Sequence, residues 1–129
     1  MILLDLHGVL LDLRLPMSKD RDYWFYMPKY PWFHDLLNLC LDFDDITICT
    51  APNDYNIGFM FDWHQDVLPN LPIIFTKEKH LCQGILIDDF EANNPDILFP
   101  QSYNFNKDLV GFELSYVESQ LERIYDQGR

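Results

Sequence analysis

The chain has 129 residues, 48% of them hydrophobic and 16% aromatic, enough for one domain with a core of its own and too apolar for a disordered chain. Its formal net charge of −12 argues against gripping a phosphate polymer by charge, although a small anion beside a bound divalent cation stays open. Three cysteines, Cys40, Cys49 and Cys82, form no CxxC pair and are odd in number, so a reducing cytoplasm is expected rather than a disulfide framework.

No apolar run approaches the roughly 20 residues of a membrane span. The opening "MILLDLHGVLLDL" contains acids and has neither a basic start nor a cleavage site of small residues, so it does not read as a signal peptide.

In chain order, "MILLDL" (1–6) is an apolar run of strand length that ends at Asp5, with His7 and Gly8 close behind. Residues 12–31 are polar and aromatic and contain Pro16, Pro28 and Pro31, which predicts an irregular or short helical insert. "WFHDLLNLCL" (32–41) has helical spacing in Phe33, Leu36, Leu37 and Cys40. "DITICT" (45–50) is a second strand. Residues 53–68 follow as a helix, with Asn53 or Asp54 as its N-cap and Met60, Trp63 and Val67 on one face.

"PIIF" (72–75) is a third strand, "KEKHLC" (77–82) a helical turn, "GILIDD" (84–89) a fourth strand and "DILFP" (96–100) a short fifth. Val110, Leu114, Val117, Leu121 and Ile124 then mark one stripe of a long amphipathic helix. Apolar strands alternating with helices predict an α/β fold: a Rossmann-like, three-layer α/β/α domain over residues 1–129, with a parallel sheet covered on both faces.

Ligands of such sheets bind off the carboxyl ends of the strands. The residues expected there are Asp5, Thr50, Lys77 or Lys79, and the pair Asp88-Asp89. This set suits phosphoryl chemistry. Asp5 and Asp88 can share a Mg²⁺, which takes carboxylate oxygens; Thr50 and a lysine can hold phosphate oxygens; and Asp5 can attack phosphorus. Read singly, an Asp-Asp strand end is more often solvated than metal-binding, and His34, His64 and His80 are ordinary helix or loop residues. Cys49, next to Thr50, should point away from it into the core.

"LLDLHGVLLD", "ITICTAPND", "TKEKH" and "GILIDDFEANN" resemble, in order, the four motifs of the haloacid dehalogenase superfamily of phosphatases. "ICTAP", "IIFTKEKHLCQGILIDD" and "ILFPQSYN" resemble more closely the 5'(3')-deoxyribonucleotidase family and its small bacterial and phage relatives. The resemblance implies a Mg²⁺-dependent hydrolase of nucleoside monophosphates. Asp5 would be the nucleophile, and Thr50 with Ala51 would meet the phosphoryl group. Lys79 would neutralise that group, and Asp5, the His7 carbonyl, Asp88 and Asp89 would form the metal site.

Two departures from the family stand out. His7 occupies the place of an aspartate that serves as acid/base, a role histidine can fill with its ordinary pKa of about 6.5. The family's helical cap is reduced to a cap-like insert at about 12–31, in which Trp24 and Phe25 would stack on a base or else pack in the core. The more open site would admit a larger substrate or be covered by a second copy of the chain. The rival functions are a weakly catalytic nucleotide- or partner-binding protein and a phosphatase of nucleic-acid ends, the latter disfavoured by the −12 charge.

Overall fold

Each apolar run of strand length becomes a strand, and the first four close at or just before a polar residue. The computed structural model describes residues 1–11, 29–51, 57–99 and 110–127. The strands are β1 (Ile2–Leu4), β2 (Ile46–Thr50), β3 (Ile73–Phe75), β4 (Ile85–Asp88) and β5 (Ile97–Leu98). Helix α1 (Phe33–Leu41) links β1 to β2, α2 (Ile57–Val67) links β2 to β3, and α3 (Val110–Gln127) follows β5. Short 3-10 turns at Lys79–Leu81 and Glu91–Asn93 lie in the last two connections. Most of the insert, with Trp24 and Phe25, and the expected N-caps Asn53 and Asp54 lie outside the described residues. Among the described residues no helix is long and apolar enough to cross a membrane.

All strand pairs are parallel, in the order β3-β2-β1-β4-β5. The chain steps outward from β1 through β2 to β3, then returns to the other side of β1 for β4 and β5. The direction of winding therefore reverses between β1 and β4, and a crevice opens off the carboxyl ends of strands at such a point.

Register sorts the side chains onto two faces. Ile2 aligns with Ile46 and Ile85, and Leu4 with Ile48 and Ile87. These join one large cluster with Phe33, Leu36, Leu37 and Cys40 of α1, Met60 and Trp63 of α2, and Val117 and Leu121 of α3. The buried positions of α1 recur at the predicted helical spacing, and Leu114 and Ile124 pack at the margin of the α3 stripe. The alternate strand residues Leu3, Cys49 and Leu86 form a separate small cluster with Ile74 and Cys82. The expected three layers are thus not evident: among the described residues, all three helices contribute to the large cluster and none to the small one. What reaches the small cluster is Cys82, from the connection between β3 and β4.

The loop after β1 is tightly held. Leu10 and Leu11 both donate N–H bonds to the Leu6 carbonyl, and Gly8 N–H donates to Leu11. The Trp32 indole donates to the Val9 carbonyl at 2.7 Å, while its ring stacks on Tyr30 at 4.6 Å. A buried aromatic with its N–H satisfied makes a rigid anchor, and it fixes the exit of the Asp5–Gly8 segment from the sheet.

Candidate active site

Two central strands deliver the carboxylates. Asp5 is the first residue past β1, and Asp88 is the last of β4; both are buried. Asp5 N–H donates to the Ile87 carbonyl at 3.0 Å, so the pairing of the two strands continues into the site. Lys79 comes from the 3-10 turn after β3 and is only 3% exposed, whereas Lys77 is on the surface. Its ammonium donates to Asp5 Oδ1 at 2.6 Å and to Asp88 Oδ2 at 2.9 Å. A buried ammonium is tolerable only when so paired.

Asp88 is further held by Phe90 N–H at 2.9 Å on Oδ1 and by Asn93 Nδ2 at 3.0 Å on Oδ2. Asn93, in the 3-10 turn after β4, thus anchors the carboxylate. Asp89, also buried, lies against the turn after β1. A Cβ built on Gly8 would fall 2.0 Å from Asp89 Oδ2, and Gly8 has φ +86°, a conformation that L side chains rarely adopt. Glycine is therefore required there twice over, once for the turn and once for the close approach of Asp89.

The electrostatics follow from crowding. Burial raises the Asp5 pKa well above the usual carboxylate value; Lys79 opposes this, and the charges of Asp88 and Asp89 add to it. Burial also pushes Asp88 upward, but the Lys79 hydrogen bond and charge, with the Phe90 and Asn93 donors, outweigh it and leave its pKa lowered. Lys79 is raised: burial works against its charge, and the two aspartates prevail. Half-buried His7 is pushed down to about 4, first by burial and then by the Lys79 charge, so its imidazole is neutral around pH 7.

One carboxylate oxygen from each of Asp5, Asp88 and Asp89 can be chosen so that all three lie within 4.8 Å of one another. Opposite ligands of an octahedral Mg²⁺ are about 4.2 Å apart, from bond lengths of 2.0–2.1 Å. The donors are all hard oxygens, and three carboxylates face one ammonium. The residues therefore fit a small hard divalent cation, which would offset the surplus negative charge.

Thr50 ends β2 and is buried, but it falls on the face of Ile46 and Ile48; among the described residues, no hydrogen bond joins its hydroxyl to the carboxylates. Its carbonyl accepts from Thr76 N–H at 3.0 Å. Ala51 follows it at the exposed edge. By alternation it is Cys49 that shares the face of Asp5, and the charges of Lys79 and Asp5 both act on its thiol. The strand period carried that signal. Beyond Thr50, an open cavity of about 630 Å³ is lined by Ile57, Gly58, Phe61, Asp62, Ile73 and Phe75; Phe75 is the register partner of Thr50.

No family model and no curated protein matches this chain.

Proposed function

We propose that the chain is a Mg²⁺-dependent phosphate monoester hydrolase of the haloacid dehalogenase type, with a Rossmann-like core and a nucleoside monophosphate as substrate. The observation that carries this reading is the pairing of one buried lysine with two aspartates from the strands that flank the reversal of winding. An ion pair kept only for stability gains little at that cost in desolvation. At the carboxyl edge of a parallel sheet, the same three groups form an anion-handling site.

In this mechanism Asp5 attacks phosphorus and forms an aspartyl-phosphate as the alcohol departs. Lys79 opposes the upward push of burial on the Asp5 carboxyl and draws the phosphoryl oxygens toward it. His7 gives a proton to the leaving oxygen, then takes one from the water that cleaves the acyl phosphate. Asp5, Asp88, Asp89 and the His7 carbonyl would hold Mg²⁺, which supplies positive charge to phosphoryl oxygens and lowers their repulsion toward the nucleophile. Asp88 stays anionic through its three donors, and Trp32 anchors the loop that carries His7.

The low pKa of His7 favours a second reading, in which a histidine that is hard to protonate has ended efficient turnover and the fold binds a nucleotide or a partner. A phosphate-release screen over nucleotides, sugar phosphates and 3'-phosphorylated oligonucleotides, with and without Mg²⁺, tests both. Release from nucleotides that EDTA abolishes supports the hydrolase. A flat result across all substrates supports the binding protein, and indifference to EDTA removes the metal assignment. Three variants sharpen the test. Asp5→Asn should abolish turnover, His7→Ala should cost about 10²–10⁴-fold, and His7→Asp should keep or raise the rate. The binding reading instead expects His7→Ala to be harmless and His7→Asp to produce a large gain.

A further inference from the structure

Behind the Lys79 turn lie two thiols with no part in the mechanism above. Cys49, on β2, is fully buried in the small cluster with Leu3 and Leu86; Cys82 packs against that cluster and is half-buried. The two thiols thus meet in one small cluster on the face of Asp5 and Asp88. Cys82 also closes the turn that carries Lys79, its N–H donating to the Lys79 carbonyl at 3.1 Å. The third cysteine, Cys40, is fully buried in the other cluster, with the helices.

We propose that Cys49 and Cys82 form a redox-modification site, a disulfide made by a peroxide and undone by a dithiol, which ties the Lys79 turn to the end of β2. The half-buried Cys82 reacts first. Its sulfur attacks a peroxide oxygen, an S–O bond forms and the O–O bond breaks. The departing hydroxide takes the thiol proton as water and leaves a sulfenic acid. The Cys49 sulfur then attacks the Cys82 sulfur, an S–S bond forms and the S–O bond breaks. Hydroxide leaves with the Cys49 proton as a second water. The two thiols lose two electrons and the peroxide gains them.

Cys49 is the resolving partner, because it is fully buried and out of reach of a peroxide, whereas Cys82 is half-buried. An S–S bond of about 2.05 Å is shorter than any contact between thiols, so closure draws Cys82 toward β2. The Lys79 backbone follows through its bond to Cys82. The effect on turnover rests on the hydrolase reading; the covalent link does not.

The test treats the folded full chain with hydrogen peroxide, alkylates the remaining thiols, cuts between Cys40 and Cys49, and maps the products by mass. The expected product is an intramolecular Cys49–Cys82 link with Cys40 alkylated, absent from Cys82→Ser and from Cys49→Ala. A Cys82 sulfinic acid beside an alkylated Cys49, a link to Cys40, or links only between molecules would overturn the proposal. On a substrate found by the release screen, oxidation should lower the rate at least tenfold. Dithiothreitol should restore it, and Cys82→Ser should be unaffected by peroxide. A linked protein that keeps its reduced rate would overturn the coupling to Lys79. If no ester is hydrolysed, the hydrolase reading fails and the mass map alone decides the link.

Discussion

On one face of the sheet, Ile2, Leu4, Ile46 and Ile48 meet apolar side chains from all three helices. On the other, Leu3, Cys49 and Leu86 make a small apolar floor, and within two positions along their strands the chain reaches Asp5 and Asp88. Both sets are buried, but for different physical reasons. The large cluster is held by removal of apolar surface from water, a contribution insensitive to pH. The polar group stays buried because Lys79 pairs with both Asp5 and Asp88, so its contribution depends on which groups are ionised. The difference shows where stability and chemistry are separated within one sheet, and substitutions can pull the two apart.

The largest effect on the polar side should come from Lys79→Met. It leaves Asp5 and Asp88 buried without their cation, a loss of about 3–5 kcal/mol at neutral pH. The sign with pH follows from Asp88, whose folded pKa lies below the ordinary value of 3.8. Its stabilisation is full above 3.8 and fades as pH falls through the folded value. The gap between Lys79→Met and wild type should therefore narrow as acid is added. Urea unfolding at several pH values in EDTA reads this directly, and a gap independent of pH would contradict the ion-pair account.

Leu121→Ala, at a fully buried site in the large cluster, should cost about 2–5 kcal/mol. The cost should be the same across that pH range and leave the activity per folded molecule unchanged. Gly8→Ala comes next. A left-handed backbone costs a non-glycine residue about 1–2 kcal/mol, and the Asp89 carboxylate must also move away from the new Cβ. Mg²⁺ affinity, by calorimetry, should fall along with stability; a stable variant with unchanged affinity would detach Asp89 from the metal site.

The smallest effect concerns His7. Its folded pKa of about 4 lies below the ordinary 6.5, so between those values the unfolded chain binds a proton that the folded chain refuses. Its stabilisation is full above 6.5 and is lost as pH falls toward 4. Asp5 titrates in the opposite sense, since its raised pKa lets the folded chain keep a proton that the unfolded chain releases. The comparison of wild type with His7→Gln isolates the histidine. In EDTA the variant should lose less stability than wild type between pH 6.5 and 4, and equal losses would mean that His7 is solvated.

The parallel sheet was legible because the first four strands are apolar runs closed by a polar residue, and Asp5 and Asp88 could be assigned to one edge from that pattern alone. The α1 stripe was legible from the spacing of Phe33, Leu36, Leu37 and Cys40. Lys79 could not be separated from Lys77 by pattern, because only the 3-10 turn buries one and exposes the other. The Asn93 anchor on Asp88 depends on the turn at Glu91–Asn93, which no periodicity encodes. The second reason for Gly8, the closeness of Asp89, joins residues from strands far apart in sequence. Thr50 was expected among the carboxylates, yet strand alternation puts its side chain on the large-cluster face and Cys49 on theirs.

The central claim is that Asp5 is a nucleophile and more than one half of an ion pair. It is tested most directly by acid quenching during turnover of a nucleoside monophosphate, followed by mass mapping of the peptide that contains Asp5. The account predicts a gain of one phosphoryl group on Asp5, lost on treatment with base and absent from Asp5→Asn. Hydrolysis that proceeds at full rate in Asp5→Asn, with no phosphoryl group on that peptide in wild type, would contradict it.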